Sequence, residues 1–521
     1  MQRRMTEPRG AVPPGPVSLT VMRAMIAAAD ELRLFLADSA PRRCDPSELT
    51  RAGTELADLV RRYQGASRQL LRDWLQNPRH VSWLVDSASG RVLDVVSSGV
   101  SEDAVRGEQL HITAAEDQPL HGLRRRFSRP GIGIPVVLWR RRPGPEQAAD
   151  FERYTAARAR TAVISVEPDF DRRVRAVRIL FKDPAADSVF TIGGAELPFA
   201  ADFTAPVAQT IGRERRPAAN AYGARELARR GTVDGFIALT PHAPELAPLV
   251  LMEGAGLSPI MMAQVANEVA GDSELRRRFQ VWLYRFPMVA PLFFAASQFR
   301  ADLERFYGRL EASCGCSLAG RGTVIAHGPG TVLAKTLLLA SGTALWDGAF
   351  TSPIDRLDVR PPDRALLDAL FFWTPSVSIG RVIVVSEPRN AEALTAGVGA
   401  RALQLLQRQP PALRAAIERI YGSQRQYLRP VALPSGATTA DGPREAFADE
   451  PVAQAIAGAA LGADRALLDL VAAEPADERA AAVFARSGGL APVEVQVSMG
   501  SQELLGPDVL RRIGAWLRPA H

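Results

Sequence analysis

Residues 323–333 read Thr323-Val324-Ile325-Ala326-His327-Gly328-Pro329-Gly330-Thr331-Val332-Leu333. A short apolar strand runs into a Gly/Pro turn, and an apolar helix through Lys335 and Leu339 follows. Acyl-transfer chemistry uses this strand–turn–helix as a nucleophile elbow. A G-x-S-x-G turn exposes the serine at its tip, and the next backbone N–H donates to the developing oxyanion. Here Gly328 takes the serine's place, and Pro329, which has no N–H, follows it. The turn therefore lacks the attacking atom and one oxyanion donor. Losing one such donor costs about 3–4 kcal/mol, roughly 100- to 1000-fold in rate. Losing the nucleophile or the base costs more, and the losses do not add simply because the groups act as a unit.

The other groups able to do chemistry offer no evident replacement. The histidines are His80, His111, His121, His242, His327 and His521. A base that follows the elbow, in the chain order Ser, then Asp or Glu, then His, could only be His521, the last residue, and chain ends are poorly held. His327 precedes the turn and so is out of order for the base. Gly315-Cys316-Ser317-Leu318-Ala319 imitates G-x-S-x-A, but Phe306–Ala312 before it reads as helix, not strand. Ser341 falls at the far end of the elbow helix. Cys314 and Cys316 would need a basic partner to act as thiolates. They also lack neighbouring Cys or His to complete a metal site, so they read as free thiols, and neither a metal nor a cofactor is expected. Gly131-Ile-Gly-Ile-Pro and Ile192-Gly-Gly-Ala lack the strand–loop–helix context of a phosphate loop and read as turn glycines.

The elements that must position these residues fall into three stretches. Leu19–Ala37 and about Pro46–Leu75 each carry one apolar face at helical spacing and predict a helical hairpin, giving an N-terminal segment over 1–78. Over 79–235 the period shortens. Val81–Val85 and Val92–Val96 flank a turn and predict a hairpin. Short runs recur at Gly133–Trp139, Thr161–Val166, Val174–Phe181 and Val189–Ile192, closed by a helix around Phe203–Arg213. From 236 to 521 strands and helices alternate. The strands are Leu246–Met252, Phe279–Tyr284, the elbow strand, Val382–Val385 and Val493–Val497. A short cap near 351–378 contains a helix at Leu366–Phe372. Ile456–Ala485 reads as Ala-rich and helical, and Pro507–Leu517 as a helix with proline in its first turn. The expected fold class is α/β, with a doubly wound, mostly parallel sheet preceded by a helical hairpin and a β-rich region.

At 521 residues the chain exceeds one ordinary core. Its 47% apolar and 23% charged residues are those of a globular protein. Lys182 and Lys335 are the only lysines among 63 basic residues, which reads as codon bias. Acidic residues number 57 and are mixed among the arginines, and no basic–aromatic module stands out, so no nucleic-acid partner is expected. The three cysteines fit a reducing compartment. No run approaches the ~20 apolar residues that span a bilayer, and Met1–Ser18 has prolines where a signal's apolar stretch would lie. A cytoplasmic location is the expectation.

Several segments resemble bacterial lipase-like α/β-hydrolases, distantly akin to deacylases of lipid-anchored glycans. They are Pro248-Leu-Val-Leu-Met-Glu-Gly-Ala-Gly-Leu-Ser-Pro, Asp272-Ser-Glu-Leu-Arg-Arg-Arg-Phe-Gln-Val-Trp-Leu-Tyr, the elbow with Ala340-Ser-Gly-Thr-Ala-Leu-Trp-Asp-Gly behind it, and Phe199-Ala-Ala-Asp-Phe-Thr upstream. The resemblance implies an α/β-hydrolase domain, and it lapses at the catalytic positions. Glu253 stands where the family's first loop has histidine. The family's Gly-His-Ser-Met-Gly-Gly is Ala326-His327-Gly328-Pro329-Gly330-Thr331. Ser501 or a neighbour takes the place of the late histidine, and Asp477 is the nearest candidate acid. Gly254, Gly256, His327 and Gly330 would line the former pocket. The resemblance thus implies a pseudoenzyme that binds a protein partner or an apolar, acyl-type small molecule. The competing expectation is an esterase, lipase or acyltransferase with relocated groups, Glu253 acting as base with Asp477 or Glu503 nearby.

Overall fold

The computed structural model describes residues 19–38, 46–76, 83–86, 91–98, 110–140, 157–166, 174–186, 189–214, 236–255, 260–287, 292–327, 330–386, 419–420, 422–427, 466–473, 493–498 and 507–518. The chain divides into two compact units, Met1–Arg141 with Thr155–Thr210 and Arg142–Tyr154 with Ile211–His521.

In the first unit, helices α1 (Leu19–Asp38) and α2 (Pro46–Gln76) form the expected pair. On α1, Met22, Met25, Ala28, Ala29, Leu32 and Leu36 make one buried stripe at three- and four-residue steps. That stripe shares a core with Leu59, Tyr63, Leu70 and Trp74 of α2 and with a sheet beneath. The sheet's strands are β1 (Trp83–Asp86), β2 (Arg91–Ser98), β3 (Leu110–Ala114), β5 (Ile134–Arg140), β6 (Arg158–Val166) and β7 (Val174–Lys182). A short β4 (Ser128–Arg129) precedes β5 in the chain. The sheet order is β1-β2-β7-β6-β5-β3, and all neighbours are antiparallel except β2 and β7. β8 (Val189–Ile192) and β9 (Ala195–Pro198) pair as a hairpin, and β10 (Ala201–Asp202) pairs with β4. Helix α3 (Thr204–Glu214) follows. Its entry is fixed by Asp202, whose Oδ1 accepts from the Thr204 N–H at 2.9 Å and the Ala205 N–H at 2.8 Å. Burial pushes the Asp202 carboxyl above its usual range despite these donors and the nearby Arg126.

Tyr63 ties α2 to the sheet. The β5–β6 register ends at Ile134 opposite Ala162, two residues short of Ile164. The Tyr63 hydroxyl donates to the Ile164 carbonyl at 2.5 Å and accepts from the Ile164 N–H at 3.0 Å. Burial pushes the phenol far above its usual range. Tyr63→Phe leaves both backbone groups buried without that hydroxyl, so an expected loss of about 2–3 kcal/mol follows. Urea titration of the full chain measures it.

In the second unit the strands are β11 (Phe236–Ala238), β12 (Ala247–Ala255), β13 (Phe279–Pro287), β14 (Gly322–His327), β15 (Ile379–Ser386), β16 (Ala466–Ala473) and β17 (Val493–Ser498). The helices are α4 (Ile260–Gly271), α5 (Ser273–Arg278), α6 (Leu292–Cys314), α7 (Gly330–Lys335), α8 (Ala344–Ala349), α9 (Pro361–Phe371) and α10 (Pro507–Leu517). The strands form one sheet in the order β11-β13-β12-β14-β15-β16-β17, with β11 antiparallel to β13 and the remaining neighbours parallel. Leu249–Met252, Val281–Tyr284, Val324–Ala326 and Val382–Val385 are buried as continuous runs, the pattern of strands covered on both faces.

The sheets correct the expected class of a doubly wound α/β-hydrolase. Antiparallel pairings outnumber parallel ones among the described residues. Three of the four sheets are wholly or mainly antiparallel. Double winding also needs crossover helices on both faces, and most of the chain joining β15 to β16 and β16 to β17 lies outside the described residues. The chain is a mixed α-and-β protein with mostly antiparallel sheets. The helical reading of Ile456–Ala485 is corrected as well, because Ala466–Ala473 is strand β16. Its neighbours β15 and β17 take its backbone hydrogen bonds on both edges, which overrides alanine's helical preference. No helix among the described residues is long and apolar enough to cross a membrane.

Candidate functional site

β14 lies between β12 and β15, every residue of it buried, and it ends at His327. α7 starts at Gly330, also buried, so the connection is two residues long. Those two, Gly328 and Pro329, lie outside the described residues, and neither type carries a side-chain oxygen, nitrogen or sulfur that could attack an acyl carbon. Met252 on β12 pairs with Ala326 on β14, so Glu253 and His327 are the next residues along adjacent parallel strands. Glu253 and Gly254 also pair in register with Arg285 and Phe286 of β13. Gly256, Asp477, Ser501 and Glu503 lie outside the described residues. The structure thus brings Glu253, Gly254, His327 and Gly330 to one end of the sheet.

The substitute nucleophiles are placed as follows. Ser317 is an exposed loop residue after α6, and its Oγ accepts from the Ala319 N–H at 3.3 Å. Ser341 is buried. Its hydroxyl donates to the Phe371 carbonyl at 2.9 Å and accepts from the Trp373 N–H at 2.7 Å, a structural link to the end of α9. Cys314 and Cys316 are joined in a disulfide, which corrects their reading as free thiols. Gly315 between them adopts φ +62°, a left-handed turn that brings the two Cα atoms to 5.2 Å. The bridge removes the support that these cysteines lent to a reducing compartment.

The structure also assembles a constellation that the sequence did not signal. His242, Gln280 and Ser313 come from the loop after β11, from β13 and from the last turn of α6. Gln280 is fixed at both ends, since its Nε2 donates to the Leu246 carbonyl at 2.8 Å and its Oε1 accepts from Trp282 Nε1 at 3.2 Å. His242 Nδ1 is 2.9 Å from that same Oε1 and therefore donates to it. The other ring nitrogen, Nε2, lies 3.4 Å from Ser313 Oγ. The order is that of serine, base and orienting group, but three features oppose attack. The Ser313 hydroxyl donates to the Leu310 carbonyl at the shorter distance of 2.8 Å. The orienting group is a neutral amide, and replacing the triad acid with an amide lowers turnover by roughly 10⁴. The last turn of a helix also carries negative partial charge, which disfavours an alkoxide. His242 lies in Thr240-Pro-His-Ala-Pro, without a local motif, and contacts between residues so far apart in the chain leave no periodic signature.

Among the described residues no group of three or more His, Cys, Asp or Glu is placed to hold a metal ion. No family model, curated protein or solved structure matches this chain at a significant level.

Proposed function

We propose that this chain acts by binding, engaging a protein partner or an apolar, acyl-type small molecule, and does not turn over esters. One observation carries the reading: the two-residue link between buried β14 and α7 is Gly328-Pro329. At the position where a lipase-like hydrolase would hold its serine, this chain has neither a nucleophile nor a following N–H. The resemblance in the surrounding segments supports a site retained for recognition. The one competing reading, a relocated esterase, would rest on the proximity of Ser313, His242 and Gln280.

Hydrolysis of p-nitrophenyl acyl esters separates the two. The full chain and its Ser313→Ala variant are expected to give the buffer rate. Turnover that disappears in Ser313→Ala would establish the esterase instead. For the binding role itself, native mass spectrometry of protein taken from its own cell extract is expected to show a retained apolar molecule or a stoichiometric partner. A bare monomer would count against it.

A further inference from the structure

The amino ends of the parallel strands, opposite the end where β14 gives way to α7, form a cleft of about 380 Å³. Ala247, Phe279, Thr323 and Arg381, at the starts of β12, β13, β14 and β15, make its floor. Arg277, Arg278 and Arg321 complete its basic wall, and Glu245 is its one carboxylate. Four guanidinium groups against a single carboxylate is an unusual balance in a chain whose acidic and basic residues are nearly equal in number.

Arg321 and Arg381 are held by their neighbours. Arg321 Nη2 donates to the Glu245 backbone carbonyl at 2.9 Å, which orients the rest of its fork. The Arg381 guanidinium lies over the Trp516 ring, its Cζ 5.6 Å from the centroid, and stacking of that kind leaves the N–H edge available for in-plane acceptors. Arg278 Nη1 is buried and has no hydrogen-bond partner. The nearest ion-pair contact, Glu274 Oε1, is 3.9 Å away, beyond hydrogen-bond reach. Glu274 also pairs with Arg518 Nε at 3.3 Å, and Asp272 is occupied by Arg518 Nη2 at 2.5 Å and by the N–H groups that open α5. The Arg278 side chain as a whole is 34% exposed, and as a lining residue it adds a further guanidinium charge to the cleft that an oxyanion would meet.

We propose that this cleft binds a small molecule bearing phosphate groups, held by Arg277, Arg278, Arg321 and Arg381. Arginine forks match the geometry of phosphate oxygens, and the cleft falls within the roughly 300–1,000 Å³ typical of small-ligand sites. Its polar walls favour a free phosphorylated molecule over a lipid headgroup. The site stands independently of the binding role assigned to the end of β14.

The test is isothermal titration of the full chain with inorganic pyrophosphate at constant ionic strength. Saturable binding at one site is expected. Arg278→Gln and Arg381→Gln should each weaken it by about tenfold, and Glu245→Gln should tighten it several-fold. The Glu245 variant removes a repulsive charge without touching the arginines, so it reads the site even if an arginine variant misfolds. Absence of binding heat, or an affinity unchanged in all three variants, would overturn the proposal. So would binding to phosphatidylcholine vesicles doped with phosphatidic acid but not to pyrophosphate.

Discussion

Trp282→Ala is expected to lower the stability of the unit carrying the seven-stranded sheet by about 4 kcal/mol, within the 3–5 kcal/mol typical of emptying a buried tryptophan site. The indole is 1% exposed at the middle of β13, which has β12 on one side and β11 on the other. It meets the Phe306 ring edge-on at 4.9 Å, and Phe306 stacks on Phe236 at 4.0 Å, so the cavity would open in an aromatic cluster with little freedom to collapse. Its Nε1 also donates to Gln280, the residue that fixes the His242 ring. Trp282→Phe should recover most of the packing but not that donor. Urea transitions of the full chain monitored by circular dichroism measure both variants. A loss below about 1 kcal/mol for the alanine variant would show that the cluster is not packed as described.

Gly131→Ala is expected to cost about 3 kcal/mol, the upper part of the range for overpacking, because nothing nearby can yield. A Cβ at this position would stand 2.5 Å from the Phe199 carbonyl carbon and 2.6 Å from the Ala200 nitrogen, and closer still to the Pro198 oxygen. These are backbone atoms locked by the flanking bridge, in which Ile132 N–H donates to Pro198 at 2.7 Å and Ala200 N–H donates to Ile132 at 2.9 Å. The same urea titration measures the loss, and an unchanged midpoint would contradict the close approach. The glycine serves neither a phosphate loop nor a reverse turn. It lets two chain segments touch.

What was legible in the sequence follows from how local each signal is. The buried stripe of α1, the pairing of Trp83–Asp86 with Arg91–Asp94 of β2 and the step from β14 to α7 are set by spacing within a dozen residues. But α7 ends at Lys335 and Thr336–Leu338 is a 3₁₀ turn, so the helix does not run on to Leu339 as the apolar spacing predicts. Ala466–Ala473 was misread because its strand state comes from β15 and β17, which lie far off in sequence. The Cys314–Cys316 bridge is not legible in the sequence because two thiols two residues apart read the same whether joined or free. The fold class was overdrawn from the alternation in the C-terminal half, and the antiparallel ladders of the first unit outweigh it. Neither the His242–Gln280–Ser313 relay nor the basic cleft at the strand starts has a local pattern. Each gathers residues from several elements.

The central claim is that no serine in this chain is activated for acyl transfer. Treating the full chain with a fluorophosphonate and weighing the intact protein, beside an active serine esterase as control, tests it most directly. The expected result is an unmodified mass under conditions that label the control completely. A stoichiometric adduct, mapped to Ser313, Ser317 or any other serine, would contradict the account.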